Sequence, residues 1–165
     1  MSQLLSAISG VLHAREPLPG LVTGGQPGLE HFTRLKGAGC DVVIDMRDPM
    51  EPQPFEAPAA VRAAGLVYIN IPVPHATPDD RMYDQVRSTL ADLATRGQQV
   101  FVYCNSGNRV GAALIPYLVL DKGLDEAEAV TRAIAMGARS SELIDAGLEY
   151  VKKRNRGGQG RTEAD

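Results

Sequence analysis

A chain of 165 residues, 44% hydrophobic and 22% charged, is the size of one ordinary domain and too apolar to be a disordered segment. No apolar run reaches the roughly 20 residues of a membrane span, and two cysteines with three scattered histidines match neither a disulfide framework nor a structural zinc spacing. The net charge of −3 conceals a basic end, where Lys152, Lys153, Arg154, Arg156 and Arg161 outnumber Glu163 and Asp165. That end reads as a solubilising tail, and no nucleic-acid partner is expected from it.

Taken in chain order, Leu4, Leu5, Ile8, Val11 and Leu12 predict an amphipathic surface helix, with no basic residue ahead of it to make an export signal. Leu29, Phe32 and Leu35 mark one face of a helix that Gly37 and Gly39 stop. The β-branched run Val42-Val43-Ile44 predicts a buried strand ending near Asp45. Four prolines between Pro49 and Pro58 then impose a surface loop. Val61–Ala64 predicts a short helix closed by Gly65, and Leu66–Val73 a second strand ended by Pro72 and Pro74.

Thr77-Pro78-Asp79-Asp80 carries a strong helix start: a hydroxyl cap, a first-turn proline and acids facing the dipole. That helix should run to about Arg96 and stop at Gly97. Gln99–Tyr103 predicts a third strand, and further helices begin around Arg109 and cover about 125–136 and 140–154. Strands alternating with helices predict a single α/β domain over 1–154 with a mainly parallel sheet flanked by helices, and a flexible basic tail over 155–165. Unpaired cysteines suit a reducing compartment, so the cytoplasm is the expected location.

The segment that carries chemistry joins the third strand to the next helix: Cys104-Asn105-Ser106-Gly107-Asn108-Arg109. In an open α/β sheet, ligands sit beyond the carboxyl ends of the strands, where this pattern puts Cys104. A free thiol titrates near pH 8.5, at about 8.5, but inward loop amides, a helix N-terminus and an arginine all favour the thiolate. The same amides of Asn105, Ser106, Gly107 and Asn108 can hold a tetrahedral anion, and Arg109 can clamp two of its oxygens.

Together with Thr23-Gly24-Gly25-Gln26-Pro27, Val43-Ile44-Asp45-Met46-Arg47 and Tyr68-Ile69-Asn70-Ile71-Pro72-Val73, this loop resembles a bacterial phosphatase-like family. That family includes the domain fused to some beta-lactamase-like hydrolases and is akin to dual-specificity protein tyrosine phosphatases. The resemblance implies a tyrosine-phosphatase-like fold, Cys104 as nucleophile, Arg109 as phosphate clamp, a phosphorylated substrate and no cofactor or metal. The loop also resembles that of rhodanese sulfurtransferases, which share the spacing of four residues between cysteine and arginine; tyrosine phosphatases have five. Tyr103 stands where those phosphatases usually carry histidine, and Val110 where many carry serine or threonine.

A phosphatase needs a proton donor for the leaving oxygen. The resemblance puts it on the loop before the cysteine strand, which offers His75, Asp79 and Asp80, and Asp79 is the expected donor. Asp45 and Asp48 are the alternatives, with Asp45 also expected to pair with Arg47. Gln26 is expected to be a turn residue, Cys40 a core residue, and His13 and His31 receive no role. Three activities follow: a cysteine-dependent phosphatase first, a sulfurtransferase carrying a persulfide on Cys104 second, and a non-catalytic anion-binding module third.

Overall fold

The computed structural model describes residues 1–164, with side chains to residue 156. Five short strands form one sheet in the order β1-β2-β5-β3-β4: β1 (Arg15–Leu18), β2 (Leu21–Gly24), β3 (Val42–Asp45), β4 (Val67–Asn70) and β5 (Val100–Tyr103). β2, β5, β3 and β4 run parallel, and only β1 is antiparallel, paired to β2. The α/β architecture with a mainly parallel sheet is as the alternation of elements predicts.

Every residue of β3 and β5 is buried, because helices cover both faces. On one face, α1 (Gln3–Ala7), α2 (Leu29–Gly37) and α3 (Ala57–Ala63) pack Leu4, Phe32, Leu35 and Val61 against Val43 and Phe101. On the other face, α4 (Asp80–Thr95), α5 (Asn108–Pro116), α6 (Glu126–Ala135) and α7 (Ser141–Ala164) pack Val86, Leu114, Ala133 and Tyr150 against Ile44 and Val102. A π-helical turn, Tyr117–Asp121, extends α5 past Pro116. The tail expected over 155–165 lies, from residue 157 onward, outside the residues whose side chains are described. No helix is long and apolar enough to cross a membrane among the described residues.

Three expectations are corrected. The N-terminal helix ends at Ala7, and Leu4, Ile8 and Val11 are core residues rather than one face of a longer surface helix. Beyond it lies a β1–β2 hairpin that periodicity misses, because each strand has four residues and Arg15 and Glu16 dilute the apolar pattern; the Pro19-Gly20 turn, with Gly20 at φ +81°, was its signal. The helix after β4 is capped by Asp79, whose Oδ1 accepts from Met82 N at 3.1 Å, and not by Thr77, whose hydroxyl donates instead to Glu142 at 2.9 Å.

Candidate active site at the carboxyl end of the central strand

β5 lies between β2 and β3, so Cys104, the residue after its end, sits at the middle of the sheet's carboxyl edge. The next three residues turn sharply into α5, and Gly107 caps that helix at φ +90°. A Cβ on Gly107 would run into the Met136 carbonyl oxygen, so only glycine lets this turn pack. Gly107 N donates to Cys104 Sγ at 3.1 Å. The sulfur is therefore already the acceptor of one loop amide.

The other loop groups are oriented from behind. Asn105 O accepts from Gln26 N at 3.0 Å, and Ser106 O faces His13 Nδ1 at 2.8 Å. Among the described residues, no protein acceptor meets the N–H groups of Asn105, Ser106, Asn108 or Arg109. The Asn108 Oδ1 accepts from Arg139 N at 2.8 Å and Ser140 N at 3.1 Å. It ties the loop to the α6–α7 turn.

Arg109 is buried, and its guanidinium meets both oxygens of Glu51, with Nη2 to Oε2 at 3.1 Å. Arg47, also buried, donates from Nε to Glu51 Oε2 at 3.2 Å, from Nη1 to Gln26 Oε1 and from Nη2 to Pro52 O. Hydrogen bonding from Arg109 holds the Glu51 carboxyl at about 2, against an ordinary 4.5, so it is a fixed anion at neutral pH. Above the loop opens a cleft of about 430 Å³ lined by Arg47, Glu51, Arg109 and Arg139 and by the imidazole of His75. Cys104 itself is 1% exposed and does not line the cleft, whereas its neighbours Asn105 and Ser106 do.

The sequence-predicted residues divide accordingly. Cys104, Asn105, Ser106, Gly107, Asn108 and Arg109 share one loop, and His75 lines the cleft over it with Nε2 3.9 Å from Glu51 Oε1. Asp79 does not line the cleft: it caps α4 and pairs with Arg81 at 3.7 Å. Asp80 faces Lys153 at 3.5 Å. Asp45 is buried, and it holds Arg47 by the backbone N–H at 2.9 Å rather than by the guanidinium. Its other oxygen accepts from Tyr68 OH at 2.8 Å. Asp48 is exposed and caps the turn to Met50.

Gln26, expected to be a turn residue only, buttresses Arg47. Tyr103 is fully buried and stacks on Phe101 at 5.6 Å, and Val110 turns into the core, so neither supplies a polar group to the cleft. Burial pushes the Cys40 thiol up to about 11. Sequence reasoning missed Glu51, Arg47's guanidinium role, His13 and Arg139. Glu51 had one faint signal, an acid four residues after an arginine that follows a buried strand. Among the described residues no three His, Cys, Asp or Glu side chains gather as metal ligands.

No protein-family model and no curated protein sequence matches the chain. Solved structures do. A candidate phosphatase (DUF442) from Shewanella putrefaciens CN-32 superposes with a TM-score of 0.76 at 22% identity, over 90% of this chain and 97% of its own. Tk-PTP in its active form gives 0.74 at 16% identity, over 85% and 97% of the two chains. PTPMT1 in complex with PI(5)P gives 0.72 at 17% identity, over 88% and 98%. The fold is the tyrosine-phosphatase-like fold of these proteins.

Proposed function

We propose that this chain is a cysteine-dependent phosphatase acting on a phosphate monoester. The observation that carries the reading is the loop itself: Gly107 N donates to Cys104 Sγ at 3.1 Å while Arg109, from the same loop, is held over the cleft by Glu51. An amide aimed at the sulfur favours the thiolate, and the unengaged amides with Arg109 favour a tetrahedral anion above it.

In the first step Cys104 Sγ attacks phosphorus, forming an S–P bond as the P–O bond to the leaving group breaks. The leaving oxygen takes a proton from His75, the imidazole that lines the cleft. Glu51 cannot supply it, because Arg109 keeps that carboxyl ionised. In the second step His75, now neutral, accepts a proton from water as the water oxygen attacks phosphorus. The S–P bond breaks, and inorganic phosphate and the thiolate are released. With Val110 in the core, no hydroxyl directly follows Arg109 to assist this step.

Among the described residues no Phe, Tyr or Trp lines the cleft, whose lining is mostly charged and polar. That supports a substrate that presents a polar phosphorylated group, and PTPMT1 was solved in complex with PI(5)P. The test is release of phosphate from a panel of aryl, seryl, sugar and inositol phosphates by wild type and Cys104→Ser. Equal rates in both end the proposal, and phosphate binding without turnover leaves only an anion-binding module.

One observation favours a second reading. Among the described residues the one carboxylate lining the cleft, Glu51, is locked by Arg109, and the loop has the four-residue spacing of sulfurtransferases. Sulfur transfer needs no strong acid: Cys104 takes the outer sulfur of thiosulfate, the S–S bond breaks, and sulfite leaves with the electron pair. A Cys104-dependent gain of one sulfur atom by mass spectrometry after thiosulfate treatment supports this reading, and no adduct removes it.

A further inference from the structure

His13 is the one residue other than glycine with a positive φ among the described residues, at +56°. Backbone in this left-handed region is uncommon for side-chain-bearing residues, and surrounding structure must hold it there. Here Leu12 O, one residue earlier, accepts from Gly25 N at 2.8 Å, and Ala14 N returns to Val11 O at 3.3 Å. The result is a ring aimed at the back of the Cys104 loop, half-exposed itself, with Nδ1 2.8 Å from Ser106 O. A carbonyl oxygen only accepts, so Nδ1 carries the hydrogen and donates.

Ser106 O and Gly107 N belong to one peptide unit. A trans peptide is planar, and its C=O and N–H point in opposite directions. Pulling Ser106 O outward toward His13 therefore turns the Gly107 N–H inward, where it meets Cys104 Sγ at 3.1 Å. The donor on the carbonyl also polarises the amide, which strengthens the bond to sulfur. Rotation of this unit by about half a turn would present a carbonyl dipole to the thiolate instead, and Gly107 offers little steric resistance to it.

We infer that His13 is a positioning residue for Cys104, acting through the Ser106–Gly107 peptide to hold an amide on the sulfur. The inference rests on the reading of Cys104 as a working thiolate, and one titration separates the two. Thiolate absorbance is followed against pH in wild type, His13→Gly and His13→Asn, each taken as a difference from the corresponding Cys104→Ser protein. Cys40 does not interfere near neutrality, since burial holds its thiol at about 11.

Glycine relieves the positive φ and removes the donor, so the fold holds. Asparagine tolerates the same backbone and returns a side-chain N–H close to the Nδ1 position. The expected result is a wild-type midpoint below the ordinary thiol value of about 8.5. His13→Gly should move it up by about one pH unit, a tenfold loss of thiolate near neutrality, and His13→Asn should recover most of it. An unmoved midpoint in His13→Gly, or no recovery in His13→Asn, overturns the role of His13 alone. A wild-type midpoint at or above the ordinary value overturns the working thiolate itself.

Discussion

Glu51 reaches across 58 positions of sequence to place both carboxylate oxygens on the guanidinium of Arg109. Arg47 donates to the same carboxylate, so two buried arginines share one fixed anion. Removing one member of such a set leaves charge without a partner, which costs far more than an exposed pair is worth.

Glu51→Gln should lower phosphate turnover about 100-fold, since one amide oxygen cannot grip both guanidinium nitrogens and Arg109 loses its aim. Its pH signature follows from sign. Hydrogen bonding from Arg109 depresses the folded carboxyl to about 2 from an ordinary 4.5. The stabilisation is complete above 4.5 and is lost as pH falls toward 2. Denaturation of wild type and variant at a series of pH values should show wild type ahead at neutral pH and the gap closing across that window. A gap independent of pH refutes the assignment.

His75→Asn should cost about 100-fold or more in turnover of alkyl phosphates, whose leaving oxygen needs a proton, and little for aryl phosphates, whose leaving oxygen does not. The check is turnover against leaving-group basicity: the variant should show a much steeper dependence than wild type. Identical slopes would remove His75 as the donor.

Asp79→Ala should lose about 1 kcal/mol of stability with the α4 cap, and Asp79→Asn, which still caps, should lose little. Turnover should stay within about twofold in both, because the side chain serves Met82 N rather than the cleft. A large kinetic defect in the asparagine variant, with normal melting, would restore Asp79 as the proton donor.

Gly107→Ala should be destabilised by about 1–3 kcal/mol through its positive φ alone. The collision with Met136 O adds to that and forces the turn open. Inorganic phosphate should raise the melting temperature of wild type and leave that of the variant unchanged. Equal phosphate shifts in the two proteins would show that the turn is not the anion cradle.

What the chain discloses before folding is what local chemistry writes. Val42–Asp45 and Val100–Tyr103 are legible because both of their faces are buried and nearly every residue is apolar. Cys104 and Arg109 are legible because the strand–loop–helix transition puts glycine, cysteine and arginine within six consecutive residues. Glu51 is hidden in a proline-crowded loop without periodicity, and its partner is remote in sequence. His13 is hidden for another reason. A lone histidine beside Val11 and Leu12 extends a helical pattern, whereas the helix has already ended at Ala7. Thr77 is misread as the cap because hydroxyl, proline and acids all sit together, and only the backbone tells that the turn begins two residues later.

The Cys104 loop is braced by His13, by Gln26 and by the turn at Met136 and Gly137, which come from both ends of the chain. A growing polypeptide on the ribosome therefore has every residue of the loop long before it has the loop's shape. On the proposed reading of Cys104, its reactivity would arrive only with completed folding. Chains stopped short of Met136 are therefore expected to bind no phosphate, which equilibrium dialysis on such truncations can check.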